Sequence, residues 1–303
     1  MRIQIPASTS NIGPGFDTLG LALNRYLFLS ASQKDGRGKA PVISVTGNGT
    51  EHIATDEKNL AYRGMLALAE AVDASADAFK GLHLRLENGI PSCGGVGGSG
   101  AAIAGGVFLA NELLKTKLTA EEMLRIAVGL EGHPDNVSAA LMGGLTINCF
   151  DDKDLHCRSV KITAPIAVVT CSPNFQVLTR QARQILPREI ALKDAVVNIE
   201  NVASLVAALI AGDLGALRYV TVDRLHERYR AGLIPGYEDV RRAALGAGAL
   251  SFNISGSGPT VFCFATENLD AIGAAMERAF AAHGKMAKYD IMTIENEGAR
   301  IVG

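Results

Sequence analysis

The chain has 303 residues, of which 48% are hydrophobic and 20% are charged, and its formal net charge is −2 at pH 7. This length and composition predict a globular protein with a large core, in one large domain or two of ordinary size. A nearly neutral chain argues against nucleic acid as a partner. The five cysteines are odd in number and lack C-x-x-C spacing, which argues against a disulfide framework or a zinc site and favours a reducing, cytoplasmic location.

The N-terminal half predicts strands and helices in mixed order. Strand-like runs occupy 2–6, 21–32, 42–46, 82–88 and 144–150. Helix-like runs occupy 59–72, the segment AAIAGGVFLANELL after a glycine stretch, LTAEEMLRIAVGLEG, and a short segment that starts near Pro134. Thr119 and Glu122 have the spacing of a capping box at the start of the third helix.

A charged patch, DDKDLHCR at 151–158, predicts a domain boundary, so we expect domains over 1–155 and 156–303. The second half predicts a buried strand at 166–172 and three or four helical segments between 178 and 247. A strand–turn–strand over 251–265, a helix at 268–283 and a strand at 286–295 complete it. Strands and helices do not alternate as in a parallel sheet, so the predicted class is α+β.

The uncharged stretch 90–111 is long enough to span a membrane. Its seven glycines make it much less apolar than a Leu/Ile-rich span. The first eleven residues also lack the apolar region of a signal peptide. We therefore expect neither a membrane segment nor a secretory leader.

Residues 94–106, GGVGGSGAAIAGG, have three interpretations. A dinucleotide-binding turn needs an acidic residue about 20 positions later at a strand end, but Glu121 and Glu122 fall in a helical segment. A phosphate cradle is favoured, because a glycine turn at a helix start offers free N–H groups and a positive dipole end. Ser99 adds a hydroxyl for phosphate or Mg²⁺. The third interpretation is close packing of small residues. A Walker A loop is excluded because no G-K-[ST] occurs.

Three further polar, glycine-containing segments stand between predicted elements: PASTSNIGPGFDTLG at 6–20, EGHPDNVSAALMGG at 131–144 and SGSGPT at 255–260. Each could be a structural turn. Because loops carried by a rigid scaffold commonly build binding sites, we expect the three segments and the glycine stretch to converge on one pocket.

These motifs, in this order, resemble the GHMP kinase superfamily, and within it the homoserine kinases. PASTSNIGPGFDTLGLAL is similar to the first family motif, and IPSCGGVGGSGAA stands where the family has its phosphate loop. EGHPDNV, TRQARQILP (179–187), YRAGLIPG (229–236) and SGSGPTV follow in family order. The resemblance spans almost the whole chain.

The resemblance implies a two-domain α+β fold, with an N-terminal domain like ribosomal protein S5 domain 2 and a ferredoxin-like C-terminal domain. It implies transfer of the γ-phosphoryl group of ATP, with Mg²⁺, to the side-chain hydroxyl of L-homoserine, which gives O-phospho-L-homoserine for threonine biosynthesis. Family members are often dimers, so a homodimer is a further expectation.

The resemblance also assigns residues to roles. Asn11, Asp17, His133 and Asn136 would line the amino-acid pocket, with Asp17 facing the ammonium group. Arg183 and Arg230 would bind the carboxylate, which suits the forked geometry of guanidinium. Glu131 and Ser99 would hold Mg²⁺, and these two residues together with Asn136 would act in catalysis. Asn59 would lie near the adenine, and the cradle would consist of Gly95, Val96, Gly97, Gly98, Ser99 and Gly100.

Several alternatives stay open at this point. Arg180 competes with Arg183, and Arg228 competes with Arg230, because each pair lies within two or three residues. His133 could be structural, and Asp17 could serve only as a turn former. The chain could also phosphorylate another small alcohol or bind a nucleotide without catalysis.

Two further features concern the chemistry. Related mevalonate-type kinases use an aspartate as base where this chain has Asn136, so we expect phosphoryl transfer without a dedicated side-chain base. The cradle departs from the family pattern at Gly98, which replaces a serine, and at Gly100, which replaces an alanine. We expect weaker ATP binding from the lost hydroxyl and a looser first helical turn from Gly100.

Overall fold

The computed structural model describes residues 1–33, 41–91, 94–151 and 154–303. Within these residues, eleven strands form two sheets and ten α-helices pack on them. The strands are β1 (Arg2–Ser10), β2 (Leu19–Gln33), β3 (Val42–Gly47), β4 (Leu82–Asn88), β5 (Leu145–Phe150), β6 (Leu155–Val160), β7 (Ala167–Pro173), β8 (Asn253–Ile254), β9 (Val261–Ala265), β10 (Ala287–Thr293) and β11 (Arg300–Ile301). The helices are α1 (Leu60–Ala71), α2 (Gly98–Leu114), α3 (Ala120–Glu131), α4 (Asp135–Met142), α5 (Thr179–Gln184), α6 (Leu192–Ala211), α7 (Leu217–Val220), α8 (Glu227–Arg230), α9 (Tyr237–Gly246) and α10 (Leu269–Ala282).

The larger sheet has the order β11-β1-β2-β4-β3, and β5 and β6 continue it from the first part of β2. The long strand β2 serves two partners, because Leu19–Leu21 pair with β5 and Leu27–Gln33 pair with β4. All its pairings are antiparallel except that of β3 with β4. Helices α2 and α4 pack on β1 and β2, and α1 and α3 pack on α2.

The smaller sheet has the antiparallel order β10-β7-β9-β8, and α10 packs on it beside α9. Val168, Phe262, Phe264 and Met292 from this sheet belong to the same buried cluster as the core of the larger sheet. The two sheets therefore share apolar packing rather than standing apart. The mixture of helices with mostly antiparallel strands confirms the α+β class.

Two strands extend the larger sheet beyond the expected elements. Strand β6 pairs with β5 and was missed because its residues, LHCRSV, are exposed or half-buried apart from Leu155. The predicted boundary between 155 and 156 therefore falls at the start of a strand of the larger sheet, and the change of sheet comes between Val160 and Ala167. Strand β11 returns to β1, so residues 300–301 also lie in the larger sheet. Part of the charged patch, 152–153, lies outside the described residues.

The capping box at α3 is confirmed, since the Glu122 backbone N–H donates to Thr119 Oγ1 and the Thr119 N–H donates to Glu122. Between 178 and 247, the described residues contain five α-helices instead of three or four, because α7 and α8 have four residues each and show no helical period. Helix α2, from the stretch checked for a membrane span, lies largely in the core. Among the described residues, α6 alone has the length and apolar character of a span, which is weak evidence for one.

Candidate active site

One cavity of about 420 Å³ brings together segments that are distant in the sequence. The loop after β1, residues 94–99, the α3–α4 connection, α5, α8 and the turn between β8 and β9 all contribute to its lining. The prediction that the glycine stretch and the three polar segments converge on one pocket is confirmed. Thirteen of the fourteen expected site residues line the cavity: Asn11, Asp17, Asn59, Gly95, Val96, Gly97, Gly98, Ser99, Glu131, His133, Asn136, Arg183 and Arg230.

The first half of the glycine stretch, 94–99, forms one wall of the cavity. Gly97 precedes α2 in the left-handed region, with φ of 71°, and a Cβ there would overlap Ser8 Oγ. Val96 accepts a hydrogen bond from the Ser8 N–H at 3.2 Å, and Gly95 accepts one from Ser255 Oγ, so the loop is tied to β1 and to the turn between β8 and β9. The first N–H groups of α2 have no partner within the helix, which leaves them available to an anion.

The second half of the stretch serves packing instead. A Cβ at Gly106 would overlap the Ala61 carbonyl of α1, and one at Gly105 would lie 2.8 Å from Leu29. Gly100, the expected site residue that does not line the cavity, lies against Asn136, whose Cβ would be 2.9 Å from an added Cβ. Glycine at 100 therefore permits the close approach of α2 to α4. From the sequence, only an effect on the first helical turn was expected, and this packing role was not predicted.

Ser99 and Glu131 meet at the cavity from two different helices. Ser99 Oγ, in the first turn of α2, donates a hydrogen bond of 2.6 Å to Glu131 Oε1, at the last residue of α3. A hydroxyl and a carboxylate are the oxygen ligands that Mg²⁺ accepts, and Mg²⁺ keeps few protein ligands when phosphates supply the rest. The two residues therefore fit the expected magnesium site.

The α3–α4 connection supplies a hydrogen-bonded group of polar residues. His133 Nδ1 lies 2.8 Å from Asp135 Oδ1, which also accepts the Asn136 N–H at 2.8 Å. Burial disfavours the charged imidazole, but the hydrogen bond and charge of Asp135 outweigh it, so the pKa of His133 is raised. The Asn136 amide accepts from Ser8 Oγ at 2.9 Å and donates to Ser10 Oγ at 3.0 Å. Both ends of the Asn136 amide are thus held in place.

The loop after β1 presents Asp17 to Arg183. Two parallel hydrogen bonds of 2.8 Å join the guanidinium of Arg183 to the carboxylate of Asp17, and this pairing raises the pKa of Arg183. Asn11 holds the loop, because its Oδ1 accepts the Asp17 N–H at 3.0 Å and its Nδ2 donates to Gly256 O at 2.8 Å. Both Asn11 and Asp17 have positive φ, of 69° and 54°, a conformation that is uncommon outside glycine and clusters at functional sites.

Arg230 is buried beside this pair, with 2% of its surface exposed. Its Nε donates to Ala182 O at 3.2 Å and its Nη1 to Gly256 O at 2.9 Å. Burial and the nearby charge of Arg183 lower its pKa. The competing arginines lie elsewhere: Arg180 is exposed outside the cavity lining, and Arg228 pairs with Asp194 at 2.9 Å.

Asn59 is the N-cap of α1 and forms part of the cavity wall. Its Oδ1 accepts the N–H groups of Ala61 and Tyr62, and its Nδ2 donates to Ala54 O at 2.7 Å. The side chain is therefore a helix cap that fixes this wall. Apolar residues complete the wall around it, including Leu27, Ile53, Leu60, Leu86 and Ile90.

Several lining or adjacent residues were not predicted. Phe16 contacts both arginines, with its ring centroid 5.7 Å from the Arg183 guanidinium carbon and 5.2 Å from that of Arg230. Lys58 and His52 also line the cavity. The position of Phe16 directly before Asp17 was a usable signal, whereas nothing local distinguished Lys58 or His52 from surface residues. Of the five cysteines, Cys171 and Cys263 are buried, Cys157 is half-buried and Cys149 is exposed, whereas Cys93 lies outside the described residues.

Comparisons with known sequences place this geometry in context. The family described as GHMP kinases N terminal domain matches residues 59–144, and the family described as GHMP kinases C terminal matches residues 205–282. A homoserine kinase from Halothermothrix orenii is 41% identical, with 99% of this chain and 96% of the relative covered. A homoserine kinase from Moorella thermoacetica is 39% identical, with 99% of both chains covered.

Solved structures agree with the sequence comparison. The crystal structure of homoserine kinase from Cytophaga hutchinsonii has a TM-score of 0.85 at 31% identity and covers 100% of this chain and 97% of that one. Mevalonate kinase from L. major in complex with R-mevalonate has a TM-score of 0.72 at 14% identity, over 97% of this chain and 96% of that one, which shows the shared fold. The predicted resemblance and two-domain fold are therefore confirmed, and the chain belongs to the GHMP kinase family.

Proposed function

We propose that the chain transfers the γ-phosphoryl group of ATP to the side-chain hydroxyl of L-homoserine and forms O-phospho-L-homoserine. One observation carries the proposal: the cavity that holds the glycine cradle also holds Asp17, Arg183 and Arg230. An α-amino acid offers one cation and one anion on the same carbon. A fixed carboxylate beside two guanidiniums is the complementary set of charges.

The proposed roles follow from the contacts. Asp17 would bind the α-ammonium group, and Arg183 and Arg230 would bind the α-carboxylate. In the structure Asp17 and Arg183 satisfy each other, so a zwitterion can replace both halves of this ion pair at once, whereas a plain alcohol can replace neither. We therefore expect the site to favour an amino acid over an alcohol that lacks an ammonium group, such as mevalonate, whose carboxylate can pair only with the arginines.

The cradle and the Ser99–Glu131 pair lie on the nucleotide side. We propose that the N–H groups at the start of α2 receive phosphate oxygens, and that Ser99 Oγ and Glu131 Oε1 hold Mg²⁺. When bound, Mg²⁺ neutralises charge on the triphosphate. Asn59 would position α1 beside the adenine through its capping contacts.

In the proposed transfer, the substrate hydroxyl oxygen forms a bond to the γ-phosphorus as the bond to the ADP oxygen breaks. The hydroxyl proton leaves late, to a phosphate oxygen or water. Asn136 cannot accept this proton as a base, and its amide is held by Ser8 and Ser10. Its role would be to hold the substrate and the start of α4, since phosphoryl transfer depends mainly on positioning and charge stabilisation.

This absence of a side-chain base can be tested with Asn136→Asp. We expect kcat to stay equal or fall, and no new acidic limb to appear in the pH–rate profile. A large increase in kcat together with a new acidic pKa would contradict unassisted transfer.

The proposed activity is tested by an ADP-release assay with L-homoserine, L-threonine, L-serine, shikimate and mevalonate at equal concentrations. We expect the highest kcat/KM with L-homoserine, with the phosphorylated product identified by mass. Preference for another alcohol would indicate a different GHMP kinase activity. Silence with every alcohol, together with measurable ATP binding, would indicate a non-catalytic nucleotide-binding protein.

Two further proposals concern the setting of the enzyme. We propose that the chain is cytoplasmic and that it forms a homodimer in solution. Sedimentation of the purified chain would test the homodimer. A monomer at micromolar concentration would contradict the dimer.

A further inference from the structure

A histidine behind the cavity, His226, has no part in the roles proposed so far. It immediately precedes α8, is 0% exposed and does not line the cavity. Arg230, four residues later in the same helical turn, does line it. A fully buried imidazole that contacts a proposed substrate-binding arginine requires an explanation.

The two ring nitrogens of His226 face partners with opposite hydrogen-bonding capacity. Nε2 lies 3.0 Å from the Gly13 carbonyl oxygen, which can only accept, so Nε2 carries the proton. Nδ1 lies 3.4 Å from Arg230 Nη1, which can only donate, so Nδ1 accepts. These partners fit one neutral tautomer. Burial also lowers the pKa of His226, against the opposing charge of Asp223.

The ring also reaches the loop that carries Asp17. It stacks on Phe16 with centroids 5.1 Å apart and an angle of 30° between the rings. Phe16 in turn lies against both the Arg183 and the Arg230 guanidinium groups. His226 therefore contacts the loop through Gly13 and Phe16, and contacts the buried arginine directly.

The backbone of His226 is itself fixed. Asp223 Oδ2 accepts the N–H groups of Leu225, His226 and Glu227, at 3.1, 2.7 and 2.7 Å. Asp223 Oδ1 accepts from Asn198 Nδ2 on α6 at 3.0 Å. The imidazole is therefore carried by a turn whose backbone is held in place by Asp223.

We propose that His226 is a positioning residue for amino-acid recognition: its neutral Nε2–H tautomer joins the Gly13 carbonyl to the Arg230 guanidinium and thereby fixes both sides of the amino-acid pocket. This inference rests on the proposed function. It predicts that loss of the Nδ1 acceptor weakens binding of the amino acid, while the nucleotide side, built from α2 and α3, is unaffected.

Two conservative variants separate the two contacts. Asn places its amide near the position of Nδ1, so His226→Asn can keep an acceptor for Arg230. Gln places its amide near the position of Nε2, so His226→Gln can keep a donor to Gly13 O but lacks the acceptor. We expect His226→Gln to raise KM for L-homoserine at least 10-fold, and His226→Asn to raise it less than threefold. KM for ATP should change less than twofold in both.

In His226→Gln, an equal rise of the KM values for L-homoserine and for ATP, or no change in either, would overturn the proposal. The wild-type chain supplies a measurement that does not depend on folding of a variant: ¹⁵N NMR of the His226 ring between pH 6 and 8. We expect the neutral Nε2–H tautomer throughout this range, and a charged ring or the other tautomer would also overturn the proposal. Absence of homoserine turnover by the wild type would instead contradict the proposed function, and the NMR result would stand apart from it.

Discussion

The two ends of the cavity, which we assign to the nucleotide and to the amino acid, are built in different ways. The nucleotide end uses the backbone of one continuous segment, 94–99, whose glycines allow a phosphate to approach the start of α2. The amino-acid end uses charged side chains from three separate segments, with Asp17 after β1, Arg183 on α5 and Arg230 on α8. The first end should therefore be sensitive to the addition of a single carbon atom, and the second to the loss of a single charge.

The largest effect is expected from Gly97→Ala at the nucleotide end. The methyl group of alanine would overlap Ser8 Oγ, and the alanine backbone would have to adopt the left-handed conformation of Gly97. A cost of about 2–3 kcal/mol would raise KM for ATP roughly 30- to 150-fold. Gly98→Ala is the matched control, because nothing lies within 4 Å of its added Cβ and it should change KM for ATP less than about threefold. Equal effects of the two variants would contradict a cradle whose shape depends on Gly97.

At the amino-acid end, Asp17→Asn removes the charge and keeps the size of the side chain. Loss of a charged hydrogen bond, worth about 1.5–3 kcal/mol, should raise KM for L-homoserine roughly 10- to 150-fold. KM for ATP should stay within twofold. The variant should also discriminate less against 4-hydroxybutyrate, which lacks the ammonium group. The exposed Asp213→Asn is the control, and an unchanged homoserine KM in Asp17→Asn would mean that Asp17 serves only the turn.

A smaller effect, in the favourable direction, is expected from Gly98→Ser. The added side chain meets open space, so the hydroxyl can reach a phosphate oxygen without displacing a neighbour. A gain of about 0.5–1.5 kcal/mol corresponds to a KM for ATP roughly 2- to 10-fold lower. Comparison with Gly98→Ala isolates the hydroxyl from the methylene. An unchanged KM would show that the serine missing from the family pattern is not a nucleotide contact.

The smallest effect concerns the stability of the amino-acid end through Glu227, which is buried on α8. Burial, together with the charge of Asp223, raises its pKa from 4.5 to about 8. The folded chain therefore keeps a proton that the unfolded chain releases above 4.5, so this contribution to stability falls as the pH rises from about 4.5 to 8. Glu227→Gln cannot lose a proton, and its melting temperature relative to wild type should increase by about 2 °C or more between pH 5 and 8.5. A pH-independent difference would contradict the raised pKa.

The two ends also differ in how far the sequence could predict them. The sequence predicts a phosphate cradle that includes Ser99, because glycines, a helix start and this serine are adjacent in the chain. Even so, the sequence could not show that the stretch changes from cavity wall to helix packing at Gly100, because that change depends on how closely α2 approaches Asn136. The choice between Arg183 and Arg180, or between Arg230 and Arg228, likewise required the fold, since neighbouring arginines in a short helix point in different directions.

The sequence by itself determined the α+β class, most element positions, the family and the residue types of the pocket, because periodicity, turn residues and motif order are local properties of the chain. Only the tertiary structure decided that β6 and β11 belong to the larger sheet, since strand pairing joins residues far apart in sequence. It alone also revealed the Asp17–Arg183 ion pair and the burial of His226 behind Arg230. Hydrogen bonds, burial and ion pairs between distant segments depend on packing, which local patterns do not encode.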